Sequence, residues 1–497
     1  MSKLRTPVAS ALALAALLGA APVRAGDLPA NDAGTKTITD FLAAYAGKAA
    51  LPTIKVTPQG SAYLVSFDIG AATAGLKSAG FSYEPAVIKF RVFQQDNGAW
   101  RMELVEMPPM KSHMTRPKEQ GGGQIDSEIT IQNFKSTQVI DPKLNWIDVM
   151  HGEADKVTLV QHGPGIEQYL ELGKIKAEGK TVSGASGLTT TVNEPLGSID
   201  LVMDIDPKGV DPNTKGPAKP VHVSAKGEGG AVAIALKDFQ PAPLLDLWKF
   251  VVAHPERADY ARDADALKSV VISAIADRFG IDEQIALDKL SFNTQAGPVA
   301  IEGAGIGVTA ISNGAQSGFG EHFSARTLHL PEGMVPPVFA AVTPTAFDVG
   351  FKATGFDLPS AADEWFADAK FAGDGPVVSS ADQSKVMAKL TQSRPIVVDI
   401  LPSHVAAPSL DIGFEGKVTF DKGKPSGTVT LKVRDFDKTA KALQALGPEA
   451  EQKLVPVLAM AKGLGKAQPD GAMVWVGELG KDQVMKVNGL PLGKAPL

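Results

Sequence analysis

The feature that most constrains this chain is a period of two. In "AVIKFRVFQQDNGAWRMELVEM" (86–107), Ile88, Phe90 and Val92 alternate with polar residues on one arm, and Trp100, Met102 and Leu104 do so on the other. Asp96-Asn97-Gly98 between them tolerates the positive φ of a tight turn, so the segment predicts a β-hairpin. The same alternation runs through "GLTTTVNEPLGSIDLVMDID" (187–206) and "VHVSAKGEGGAVAIALKDF" (221–239), and returns at 290–312, 321–356 and 396–436. Alternation leaves one face of each strand apolar and the other polar, which predicts antiparallel sheet covered on one side rather than buried parallel sheet. A helical period interrupts it at 37–49, 241–280, 359–371, 380–391, 437–446 and 449–462. Within 258–280, Leu267, Val270, Val271, Ile275 and Phe279 form one apolar stripe. The fold class implied is α+β: extended, curved antiparallel β-sheets with helices packed on one face.

One segment recurs. "GAVAIALKDF" (230–239) aligns with "GTVTLKVRDF" (427–436), each after a glycine-rich turn and each before a helix. Weaker echoes are "ITIQNF" (129–134) and "FKATGF" (351–356). The phenylalanine packs the corner where strand passes to helix. Pro241, Ser360 and Asp437 are the residues suited to opening or capping the helices that follow. The pair raises the option of two related halves by internal duplication. The organisation read from the sequence is a signal peptide at 1–25, a β-rich N-terminal half at 26–257, a helical connection at 258–290 and a C-terminal strand-helix half at 291–497.

The N-terminus "MSKLRTPVASALALAALLGAAPVRAGD" has basic Lys3 and Arg5, an apolar core over 8–23, and small residues at the −3 and −1 positions before Gly26. That core is shorter than the roughly 20 residues a membrane-spanning helix needs. It reads as a cleavable export signal, which places the mature chain in a periplasm with no later transmembrane segment. There is no cysteine, which removes disulfides, thiolate metal sites and a lipid-anchoring cysteine together. A chain of this length can be held by core burial alone. Removing Lys3, Arg5 and Arg24 leaves 46 basic against 55 acidic side chains, a net charge of −9. With no basic run interleaved with aromatics, nucleic acid is not an implied partner.

The stretch from "PSLDIGFEGKVTFDKGKPSGTVTLKVRDFD" to "VNGLPLGKAPL", about the last ninety residues, resembles a family of secreted alphaproteobacterial proteins, the domain-of-unknown-function family twenty-one twenty-five. In style the strand-helix unit is also similar to envelope proteins of the AsmA type, which are linked to outer-membrane lipid homeostasis. Those usually keep an N-terminal anchor, whereas this chain's hydrophobic segment reads as cleaved. The resemblance implies an envelope role and carries over no catalytic residue.

For chemistry, "MELVEMPPMKSHMT" (102–115) is the densest cluster. Met107, Met110, His113 and Met114 supply three thioethers and an imidazole, a donor set suited to copper(I) if they converge. The competing reading is strand and turn residues filling gaps around Pro108-Pro109. "DIDPKGVDPNTKG" (204–216) begins like a calcium loop but has Lys208 and Lys215 where oxygen ligands belong. No nucleophile elbow, zinc-protease helix or phosphate loop is present, and the eight histidines are scattered. His322 and His329, seven residues apart in a strand, face opposite sides. The function implied is a non-enzymatic periplasmic envelope protein without a cofactor, holding lipid or another apolar envelope component in a groove of its curved sheet. The alternatives are an interaction protein that binds another envelope protein, and a periplasmic hydrolase without a recognisable motif.

Overall fold

The computed structural model describes residues 26–494 except 117–121, 207–219, 255, 277, 295–296 and 373–376. The segment read as an export signal and most of the 204–216 loop therefore lie outside the described residues. The chain divides into two compact units. The first closes at Gly280 and includes Ala369–Val378; the second comprises Ile281–Asp368 and the chain from Ser379.

The first unit begins with helix α1 (Asp32–Ala50), longer at both ends than the predicted 37–49. Strands β1 (Lys55–Gln59) and β2 (Ala62–Asp68), a single helical turn α2 (Ile69–Ala72), and strands β3 (Phe81–Tyr83), β4 (Val87–Gln94), β5 (Trp100–Glu106), β6 (Met110–Thr115), β7 (Gln124–Gln132) and β8 (Lys135–Asp141) follow. The predicted hairpin is β4–β5, paired from Lys89↔Glu106 to Gln94↔Trp100, with Gly98 at φ 87° in its turn. Two 18-residue strands, β9 (Trp146–Gly163) and β10 (Ile166–Ser183), form the spine of this unit. After them come β11 (Leu188–Leu196), β12 (Ser198–Ile205), β13 (Val221–Gly227), β14 (Gly229–Phe239), and helices α3 (Pro241–Ala253), α4 (Arg257–Arg262) and α5 (Ala264–Ala276).

Every pairing described is antiparallel, and the sheet forks along the spine. On one edge β8 takes the first half of β9, with Lys135 opposite Glu153, while β7 takes the second half, with Asp126 opposite His162. On the other edge β12 pairs with Ile166–Gly173 of β10 and β11 with Glu178–Ser183. At the fork the buried side changes parity in both strands. Met150 and Ala154 give way to Val157 and Leu159, and Leu170 and Leu172 to Ile175 and Ala177. Asp155 and Lys174 fall at the break, between the pairs Gly173↔Lys156 and Ile175↔Ala154, and Lys174 takes φ 44°. One extra residue in each strand keeps the apolar side continuous where an unbroken alternation would turn it to solvent.

The best-packed cluster lies under α1, where Ile38 meets Tyr63, Val65, Ile88, Phe90 and Val92. The reverse face of the same strands is charged. Arg101 pairs with Asp27 at 2.6 Å and with Glu103, and Lys89 with Glu106 at 2.5 Å.

The apolar stripe of 258–280 is only partly helical. Helix α5 ends at Ala276, and Phe279 opens strand β15 (Phe279–Thr294). The predicted helical connection to residue 290 is corrected here. Gly280 ends the helical pattern, and sheet pairing outweighs the weak helix propensity of the residues beyond it.

The second unit is a meander: β16 (Gly297–Ser312), β17 (Ser317–His329), β18 (Ala346–Phe356), β19 (Ile396–Ala407), β20 (Leu410–Asp421) and β21 (Lys424–Val433), each antiparallel to the next. Helices α6 (Leu358–Asp368) and α7 (Ser380–Gln392) are inserted after β18, and α8 (Phe436–Gln444) and α9 (Pro448–Leu464) after β21. Short β22 (Lys466–Ala467), then β23 (Met473–Leu479), β24 (Val484–Val487) and β25 (Leu490–Lys494), complete it, with β23 pairing to β21.

The recurring segments share a backbone event that the sequence did not reveal. The residue before the phenylalanine is left-handed in all four: Asn133 at φ 52°, Asp238 at 55°, Gly355 at 101° and Asp435 at 48°. Asn, Asp and Gly are the residues that accept this conformation, which swings the chain out of the strand. Phe239 then packs edge-to-face against Trp146 at 5.0 Å, Phe356 stacks on Phe319 at 5.6 Å and Phe436 packs at a tilt against Trp475 at 5.5 Å.

Two capping assignments change. Asp435, not Asp437, holds the N-cap position of α8; Asp437 lies in the first turn, 2.6 Å from the Lys462 ammonium. Before α6, it is Asp357 that accepts from Ser360, at 3.0 Å from the amide and 2.9 Å from the hydroxyl. Pro241 is the first residue of α3, as predicted.

Candidate functional site: two apolar surfaces

In the second unit, register and alternation place one class of side chain on one face. Ile306 of β16 is opposite Phe323 of β17, which is opposite Val349 of β18. Farther along, Phe414 of β20 is opposite Leu431 of β21, which is opposite Trp475 of β23. Side chains in and beside these rows remain open to solvent: Ile306 is 46% exposed, Phe319 42%, Phe347 37% and Leu431 37%. Because β18 and β21 run in opposite directions, α6 and α8 leave from opposite ends of the strands, and the rows between keep this exposure. The other face is polar. It carries cross-strand pairs of His322 with Asp348 at 2.6 Å, Lys417 with Asp399 at 3.3 Å and His404 with Asp411 at 2.9 Å.

In the first unit, a cavity of about 260 Å³ lies between α1 and strands β2, β4, β5 and β8. Its lining is apolar except for Thr37, whose hydroxyl already donates to the Ala33 carbonyl at 3.0 Å. No titratable side chain lines it.

The four residues suited to copper do not share a face. Met110, Ser112 and Met114 of β6 point to one side and His113 to the other. Met110 is 1% exposed and packed in the sheet; Met114, about 13 Å farther along an extended strand, is 39% exposed. Met107 sits in the turn before β6. His113 instead lies between two carboxylates, Nδ1 2.6 Å from Asp126 and Nε2 3.3 Å from Glu84. The hydrogen bond with Asp126 raises the pKa of the imidazole above its usual value. Hydrogen bonds from Gln124 and then His113 lower that of Asp126. Among the described residues no group of three or more histidine, aspartate or glutamate side chains is arranged to hold a metal ion. His322 and His329 also take separate partners, Asp348 and Glu302, the latter at 3.7 Å.

A family model described as "Uncharacterized protein conserved in bacteria (DUF2125)" matches residues 241–496, just over half of the chain. The chain belongs to this family. The DUF2125 match reaches far upstream of the ninety C-terminal residues that carry the resemblance in the sequence. It begins at Pro241, the first residue of α3, and spans the whole meander with its apolar face. Searches of curated proteins and of solved structures each gave no match.

Sequence reasoning expected an apolar groove in the sheet and found the strands that build both surfaces, but named no residue of either as a site. The signal was present in the odd-even pattern of β16 to β21. Pairing register, which joins Ile306 to Phe323 and Phe414 to Leu431, is what turns separate stripes into one surface.

Proposed function

We propose that this DUF2125 protein is an exported, non-enzymatic component of the cell envelope. In this reading it shields the hydrocarbon part of a lipid, or of another apolar envelope molecule, against the sheet of its second unit. The observation that carries it is the row of large apolar side chains on one face, with Ile306, Phe319, Phe347 and Leu431 each more than a third exposed. Contiguous exposed apolar surface is uncommon on monomers and marks binding. Covering one such side chain is worth about 1.5–3 kcal/mol when complete. An apolar lining can hold a ligand but offers no proton donor or acceptor for catalysis.

The helices belong to the apolar side of the sheets in this reading. The matched corners at Asp238-Phe239 and Asp435-Phe436 support two related halves. The basic, then apolar, then small-residue pattern of the N-terminus supports export to the periplasm. A second reading, an interaction protein whose apolar face meets another envelope protein, draws on the same exposure.

Native mass spectrometry of protein released from the periplasm tests the proposal. The expected species starts at Gly26 and carries lipid adducts, which are lost in the double variant Ile306→Lys/Leu431→Lys. Retention of residues 1–25 in the cytoplasm, or a periplasmic species free of adducts, would refute it. Recovery of a stoichiometric envelope protein instead of lipid would favour the second reading.

A further inference from the structure

The cavity under α1 has a floor that crosses four strands. Its wall passes from Phe67 on β2 through Phe90 on β4 and Met102 on β5 to Ile140 on β8. Register sets these on successive diagonal steps: Val65 opposite Phe90, Val92 opposite Met102, Trp100 opposite Ile140. Three inter-strand steps of about 4.8 Å make the span at least ~14 Å. Above that floor lies an apolar space of about 260 Å³. At about 30 Å³ per water-sized group, the space holds eight or nine methylenes. Protein interiors rarely leave a void of this size, and an apolar one stays dry. This one adjoins the buried cluster that contains Tyr63 and Val65, 0% and 2% exposed.

The roof is the stripe Ile38, Phe41 and Leu42 of α1, three and four residues apart as one helical face requires. Phe41 is 46% exposed, so it stands where the cavity meets solvent, its ring tilted against that of Tyr45 at 4.6 Å. With no charge and no free polar group in the lining, the polar end of an occupant must remain in water at that mouth.

We propose that this cavity is a separate binding site for one hydrocarbon chain of about eight to ten carbons, carried by a single-chain amphiphile. It lies in the first unit and does not depend on the apolar face of the second.

Calorimetric titration of the mature full-length protein tests it, using hexanoate, octanoate, decanoate and dodecanoate below their micellar concentrations. One equivalent should bind, with affinity rising about fourfold per methylene up to eight to ten carbons and then levelling. Decyltrimethylammonium should bind within about threefold of decanoate, since its head stays in water. Leu42→Phe, which fills the space from the roof, should lower decanoate affinity at least tenfold. Val92→Phe fills it from the floor and serves if the first variant does not keep its far-ultraviolet spectrum and cooperative melt. Ile306→Lys/Leu431→Lys should leave decanoate binding intact. The proposal is overturned if decanoate does not saturate one site, or if affinity keeps rising through dodecanoate. It is also overturned if folded filling variants bind as well as the parent, or if the Ile306/Leu431 variant alone abolishes binding.

Discussion

The corner at Asp435 allows the fold to be tested at a single backbone torsion. Asp435 has φ 48° and ψ 48°, caps α8, and makes no side-chain capping hydrogen bond. Its role is therefore the turn itself, which delivers Phe436, 8% exposed, onto Trp475. Left-handed backbone costs an ordinary L-residue roughly 1–2 kcal/mol, most for a β-branched side chain and less for aspartate. Asp435→Val should lose about that much. Asp435→Gly removes the strain but gains about 0.5–1 kcal/mol of unfolded-chain freedom, so it should fall within about 0.5 kcal/mol of the parent. For a unit of 150–250 residues each kcal/mol moves the melting temperature by about 2–4 °C, which puts the valine variant roughly 2–8 °C lower. Thermal melts followed by circular dichroism and tryptophan emission would measure this. Asp437→Ala is the control, since its exposed pair with Lys462 is worth about 0–1 kcal/mol. The reasoning is refuted if valine is tolerated as well as glycine, or if Asp437→Ala costs more than Asp435→Val.

Two further outcomes follow from side-chain environments. His113, bonded to Asp126 and facing Glu84, has its folded pKa raised above 6.5, so its contribution to stability is complete below pH 6.5 and is lost as pH rises through the raised value. His113→Gln should flatten the stability profile above pH 6.5, and an NMR titration midpoint at or below 6.5 would contradict this. Gln95, 1% exposed, buries both amide atoms without a hydrogen-bond partner. Gln95→Met should therefore raise stability by about 1 kcal/mol in urea denaturation, and a loss of that size would show the amide to be satisfied.

Most elements were legible because their signals are local. The β4–β5 hairpin could be read from alternation plus Asp96-Asn97-Gly98, and α3 from Pro241 after a strand. The misreadings came where a local signal served two structures. Phe279 fits the helical stripe of α5 and the start of strand β15 equally well, and only pairing with neighbours chooses. Asp435 and Asp437 are both plausible caps in a string of letters, and the left-handed torsion of Asp435 is what separates them. Met110, His113 and Met114 looked like one donor set because they are close in sequence. The strand they occupy sends the imidazole to the side opposite the thioethers.

By itself the sequence determined that this chain would form antiparallel strands with one apolar side, interrupted by helices at recurring Phe corners. Those properties depend on side-chain periodicity and backbone preference, which act over a few residues. Tertiary structure decided which stripes would join. Register made one face from β16, β17 and β18 and carried it through β20, β21 and β23, while α1 settled over four strands and left an apolar space above Phe90 and Met102. Both results depend on contacts between residues distant in the chain, and no short-range pattern encodes how closely such partners pack.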